Sequence, residues 1–255
     1  MPQTVALSPP HVTPVTVIAV HGNGGGAFRF SLVAERVPQD IRFVAPDLPG
    51  FGSAGRTQPL PSMRAYAEWL ADIVEATPTP RVLLGHGVGG AIVLEFLQRH
   101  RHLVHAVILH SPVGAQLDTR FLPTLLRARA MRWLAQQALA SPTLRPIWRR
   151  RFFRAAVPDR VVTAFFENYG RCAAFSRMFD LITPRWFDSL APVTIPAAVL
   201  WGGSERVVAP SLAEAYATVL PDAQVVVEPA WDHFPMLDAP VSYAGRITSL
   251  AHELV

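Results

Sequence analysis

The sequence predicts an α/β protein in which a mostly parallel sheet is flanked by helices and interrupted by a helical lid insertion. Three observations carry this reading. Short apolar runs rich in β-branched residues recur along the chain, most are separated by stretches of helical period, and one separation is far too long for a single crossover. Alternating strand and helix is the pattern of a parallel sheet covered on both faces.

In chain order, strands are expected at Val15–Val20, Arg42–Ala45, Arg81–Leu84, Ala106–His110, Ala197–Trp201 and Gln224–Val227. Helical periodicity covers Phe30–Val37, Met63–Glu75, Ala91–Arg99 and Ser211–Leu220. Most strand-to-strand steps suit one crossover each; the step from the fourth run to the fifth does not. That step holds an insertion from about Val113 to Pro192, broken by Pro123, Pro142, Pro146, Pro158 and Pro184. Because proline ends or kinks helices, the insertion reads as several short helices. It leaves and re-enters without a flexible tether, as a lid would. The expected organisation is a core of residues 1–112 and 193–255 with a lid of residues 113–192.

Half of the 255 residues are hydrophobic and 16% are charged, which excludes a disordered chain and supplies a sizeable core. No apolar run reaches the ~18 residues of a membrane span, and Met1–Pro10 lacks the basic and apolar regions of a signal peptide, so a cytoplasmic protein is expected. The single cysteine, Cys172, excludes an internal disulfide and a cysteine-cluster metal site. No metal and no organic cofactor is implied.

All 23 basic residues are arginine. Thirteen fall between Ala115 and Leu190 against five acids (Asp118, Asp159, Glu167, Asp180 and Asp188), a local balance of +8 that leaves −4 for the remainder. The stretch Arg145–Arg154 mixes arginines with bulky apolar residues, as an interfacial helix or an anion-binding lid would. The plainer reading, preferred here, buries Ile147, Trp148, Phe152 and Phe153 while the arginines face water. With no recognised nucleic-acid module and a net acidic remainder, nucleic acid is not expected as a partner. A small-molecule substrate is, and an anionic acyl compound is compatible with the arginines.

After the first strand comes His21-Gly22-Asn23-Gly24-Gly25-Gly26, a run whose backbone N–H groups are free to turn toward a ligand. Alone, such a run serves a phosphate, an oxyanion or a simple chain reversal. No Gly-Lys-Ser/Thr follows, so it is not a Walker loop. Further on, Leu83-Leu84-Gly85-His86-Gly87-Val88-Gly89-Gly90-Ala91 runs from strand through a tight turn into a helix. This is the frame of the nucleophile elbow, Gly-x-Ser-x-Gly, in which small residues let strand and helix approach across a strained turn.

With these motifs the chain resembles the α/β-hydrolase superfamily over nearly its whole length. Asp47-Leu48-Pro49-Gly50-Phe51-Gly52-Ser53 is similar to the family's turn after the next strand. Trp201–Pro210 resembles its acid loop, and Trp231-Asp232-His233-Phe234-Pro235-Met236-Leu237 its histidine loop. The order elbow, acid, histidine is also the family's. The resemblance implies that His233 is the general base and that Glu205 orients it. It also implies that N–H groups of Val88 and of Asn23 or Gly24 form an oxyanion hole. His21, Gly22, His86 and Ser111 are expected around the pocket, with His21 and His86 also readable as packing groups. Asp232 is expected to be a solvated neighbour of the histidine.

One position departs from the pattern. The nucleophile's place is taken by Gly87, which has no side chain and cannot form an acyl-enzyme. Ser111, Ser53 and Ser204 lie at the same sheet end, but none sits on a turn that presents its hydroxyl to both His233 and the oxyanion donors. The leading expectation is an enzyme acting on a small, largely apolar, ester-like carbonyl compound, with His233–Glu205 as base and no covalent serine step. Three alternatives remain open: a serine esterase-like hydrolase inactivated by serine-to-glycine change at 87, natural or engineered; a lyase or cyclase using His233 for proton abstraction; and a non-catalytic ligand-binding protein on a retired fold.

Overall fold

The computed structural model of the chain describes residues 14–255. The reading of Met1–Pro10 and the first thirteen residues of the expected core lie outside the described residues. Six strands, β1 (Val15–Val20), β2 (Ile41–Val44), β3 (Arg81–His86), β4 (Ala106–His110), β5 (Ala197–Gly202) and β6 (Gln224–Glu228), form one sheet. Every pairing is parallel, and the order is β2-β1-β3-β4-β5-β6. β1, β4 and β5 are buried at every position. A strand covered on both faces has no solvent side to reserve for polar residues, hence the unbroken apolar runs. At the edge, Val225 and Val227 of β6 are about half exposed.

The helix Met63–Glu75 is bounded as its sequence demands. Ser62 caps it by accepting from Ala65 N at 3.1 Å, and Tyr66, Ala67, Leu70, Ala71 and Val74 line its buried stripe. It packs on the helix Val88–His100. Right-handed crossovers put both on one face of the sheet and the turn Ser31–Ala34 on the other, where the C-terminal helix Pro240–Leu254 joins it.

Two expected helices are corrected. Phe30–Val37 is a 3-10 turn, Ala27–Phe30, followed by a single α turn, Ser31–Ala34, because Pro38 disfavours helical backbone just before it. Ser211–Leu220 is a 3-10 helix, Pro210–Thr218. Its buried residues are Leu212, Ala213 and Tyr216, the last two standing three apart, the period at which 3-10 side chains eclipse.

Between β4 and β5 the chain forms helices Phe121–Leu125, Arg129–Ala140, Arg145–Phe152, Asp159–Arg171, Phe175–Leu181 and Pro184–Asp188. Pro146, Pro158 and Pro184 start helices here, where a missing N–H costs nothing. Arg132 staples the insertion together, donating to Asp180 at 2.5 Å and to the carbonyls of Leu126, Arg127 and Ser176. Ile147 does not pack as expected. It is 63% exposed, whereas Trp148 and Phe152, four apart and so on one helix face, are half-buried and Phe153 is buried. Among the described residues no helix is long and apolar enough to cross a membrane.

Candidate active site

The carboxyl ends of β1, β3 and β5, with the loop after β6, bring the singled-out residues together. Gly87 joins β3 to the helix Val88–His100 with φ 57° and ψ −116°, a left-handed backbone that strains any residue with a side chain. A Cβ built there would meet only Gly22 Cα, at 3.6 Å, which is ordinary contact. The elbow turn therefore stands in its strained form, with space for a side chain beside the glycine loop.

His233 and Glu205 are paired. Nδ1 of His233 lies 2.7 Å from Glu205 Oε2, and both side chains are buried. The same oxygen accepts from Ser111 Oγ at 2.9 Å, while Oε1 accepts from Val207 N at 2.6 Å and Val208 N at 3.1 Å. Burial alone would raise the Glu205 pKa. The His233 charge and hydrogen bond, with the two backbone donors, outweigh it and hold the carboxyl at about 2. With Nδ1 committed to Glu205, Nε2 is the imidazole nitrogen left for proton chemistry.

The serines are otherwise engaged. Ser111, at a positive φ of 42°, supports the acid. Ser53 donates to Asp47, and Ser204 Oγ donates to Pro229 O at 3.2 Å.

Asp232 is not a solvated neighbour. Its side chain is 1% exposed and forms ion pairs with Arg206 and, at 3.3 Å, with Arg154. Its Oδ1 also accepts from the N–H of Arg206 at 3.0 Å and of His233 at 2.9 Å. The adjacent side chain turned inward because those donors fold the histidine loop around it.

In the glycine loop, Gly24 N donates to Asn23 Oδ1 at 3.1 Å, and Asn23 Nδ2 donates to Phe175 O. Gly24 N is thus already committed, unlike the N–H of Val88, the first residue of the helix after Gly87. His21 is a brace: Leu48 N donates to its Nε2 at 3.2 Å, and its Nδ1 donates to Gly22 O at 3.1 Å. Burial is the main reason its pKa falls to about 4. The His86 ring lies tilted against the His233 ring at 4.7 Å and donates from Nε2 to the His233 carbonyl at 3.1 Å. Burial, then the nearby His233 and His110, push its pKa well down. His110, beside it at 4.9 Å, falls to about 3 for the same leading reason.

A residue without a sequence signal closes the group. Arg29 is 1% exposed and donates from Nη2 to Asn23 O at 3.1 Å and to Tyr169 Oη at 3.2 Å. Its guanidinium lies over Phe165 and Phe234, and Phe234 packs 4.6 Å from His233. Phe152 and Phe165 of the insertion meet Phe234 edge to face, and Phe153 meets it at a tilt. A cleft of about 540 Å³ opens elsewhere, beside Gly114, Gln116, Asp118, Phe187 and Leu190.

Sheet, elbow and loop order together define an α/β-hydrolase. Residues 17–246 match the Alpha/beta hydrolase family, and the chain belongs to it. It is 25% identical to a pimeloyl-[acyl-carrier protein] methyl ester esterase of Aromatoleum aromaticum, over 91% of this chain and 96% of that protein. It is 22% identical to Lipase 3 of a Moraxella species, over 90% of this chain and 75% of that one. Among solved structures, an esterase from Exiguobacterium antarcticum superposes with a TM-score of 0.75 at 19% identity, covering 94% of this chain and 92% of its own. Esterase and lipase relatives make this a hydrolase-like chain.

Proposed function

We propose that the chain is an enzyme acting on a small, largely apolar, ester-like carbonyl compound by general-base catalysis, with no covalent serine intermediate. The observation that carries this is the buried His233–Glu205 pair at 2.7 Å, kept beside an elbow whose residue has no side chain. The carboxylate accepts from Ser111, Val207 and Val208 as well as from the imidazole, which holds it in place against His233.

In this reading the substrate carbonyl lies over Gly87, with its oxygen between the N–H groups of Asn23 and Val88. Those donors stabilise the charge that develops on the oxygen. His233 Nε2 takes a proton from a water in the space beside Gly87, or from the substrate directly. Glu205 keeps Nδ1 protonated and stabilises the imidazolium that forms. The water route is hydrolysis. The direct route is lyase or cyclase chemistry, which the same constellation serves. Without serine, positioning and the oxyanion donors still supply roughly 10³–10⁴-fold over water.

The test is turnover of short-chain p-nitrophenyl esters by the chain and by His233→Ala. A fall of at least tenfold in the variant, with the fold intact by circular dichroism, supports the reading. Equal turnover by the two, or none by either on esters and on proton-abstraction substrates, returns the chain to a ligand-binding role.

A further inference from the structure

Of the two arginines buried to less than 5% exposure, Arg132 is paired with Asp180, whereas Arg29 has no carboxylate partner among the described residues. Nη2 of Arg29 is satisfied by Asn23 O and Tyr169 Oη. Its Nε is buried without an acceptor, and the hydrogen bonds the guanidinium makes among the described residues come from Nη2. Three aromatic rings lie against the guanidinium, those of Phe165, Phe234 and Tyr169 at 4.8, 5.1 and 5.8 Å. Cation–π contact offsets part of the lost hydration, but a buried cation without a counter-charge stays costly. A charge kept under those conditions is waiting for an anion.

Its place says which anion. A Cβ on Gly22 would sit 3.4 Å from Arg29 Nη1, and Gly22 Cα lies 3.6 Å from where a Cβ on Gly87 would be. With one C–C bond between those contacts, Nη1 is within about 9 Å of the Gly87 Cβ position. Gly22 stands between cation and elbow, and a Cβ on it would also lie 3.0 Å from His86 Nδ1 and 3.2 Å from His86 O, so only glycine fits along that distance. One short molecule spans it, carbonyl over Gly87 and acidic end at Nη1. The rings of Phe165 and Phe234 lie beside the cation, apolar neighbours for a linker of a few carbons.

We propose that Arg29 is the carboxylate-binding residue of this site, and that the substrates are short carbonyl compounds carrying a carboxylate a few carbons away, such as monoesters of short dicarboxylic acids. This rests on reading Gly87 and His233 as the reaction centre. Arg29 then sets orientation: pairing the carboxylate with Nη1 leaves the carbonyl at the far end, beside Asn23 and Val88.

The probe is butyrate, titrated calorimetrically into the chain as it stands, against butyramide, which has the same shape and no charge. The expected result is that butyrate binds at least tenfold more tightly, and that Arg29→Gln removes the preference while circular dichroism shows the fold retained. Equal binding of the two, binding of neither, or a folded Arg29→Gln that still prefers butyrate overturns the proposal. Should Arg29→Gln fail to fold, the comparison on the unaltered chain decides. His233→Ala separates this from the catalytic reading: it is expected to keep the preference for butyrate while losing turnover. A preference for butyrate in a chain with no His233-dependent turnover would leave the carboxylate site standing and remove the enzyme.

Discussion

Lowering the pH from 7 to 5 should remove much of this protein's stability through three histidines. His21, His86 and His110 are fully buried, and burial depresses all three, His21 to about 4 and His110 to about 3. A histidine with a depressed folded pKa stays neutral in the native state while its unfolded counterpart takes up a proton near pH 6.5. Stability is therefore fully present above about pH 6.5 and is lost as the pH falls toward the folded values. Each such proton is worth about 1.4 kcal/mol per pH unit once the unfolded group has titrated. Between pH 7 and pH 5 the loss is roughly 2 kcal/mol each for His21 and His110, about 4 kcal/mol for the two, and His86 adds to it in the same direction. That compares with about 5–15 kcal/mol for the whole fold. Glu205, held at about 2, adds its own loss only below about pH 4.5. Urea denaturation followed by tryptophan fluorescence at pH 7.5, 6 and 5 measures the slope, and His110→Gln should take about one proton out of it. Stability that changes by less than one proton's worth across that range would refute the reasoning.

Three substitutions probe the site. Gly87→Ser enters space that meets only Gly22 Cα but must adopt φ 57°, so it should cost about 1–3 kcal/mol in a thermal melt while making the protein react covalently with a fluorophosphonate probe. Glu205→Gln should leave the Val207 and Val208 contacts in place yet lower His233-dependent turnover by about 10²–10⁴-fold, read as kcat at saturating ester. Gly24→Ala would put a Cβ 2.2 Å from the Tyr169 ring at φ 65°; displacing that ring should lower both the melting temperature and the affinity for butyrate.

Most of the sheet is legible in the sequence because buried parallel strands announce themselves as short β-branched runs, and β1 and β4 have the expected bounds. Ser62 and the i, i+3, i+4 stripe place Met63–Glu75 equally well. Pro210–Thr218 is less legible, since a three-residue and a 3.6-residue period differ little over nine positions. Glu205 and His233, singled out by their loop frames, do meet at 2.7 Å. Asp232 is misread because alternation along an extended chain does not hold where Arg206 N and His233 N converge on one carboxylate. Arg29 has no local signature: it is one of 23 arginines, in a turn without periodicity. Its burial comes from Tyr169, 140 positions away, and from Phe234 beyond it.

The arrangement around Asp232 also joins two parts of the molecule thermodynamically. One carboxylate is shared by the backbone of His233, by Arg206 of the neighbouring loop and by Arg154 of the insertion. Any displacement of the insertion that withdraws Arg154 is felt at the loop bearing His233, and ligand occupancy there feeds back equally on the insertion. Arg154 is 47% exposed, so solvent screens the exchange and its strength is about 0–1 kcal/mol. Arg206 keeps the carboxylate paired meanwhile, so the histidine loop holds its shape through an excursion of the helices above it.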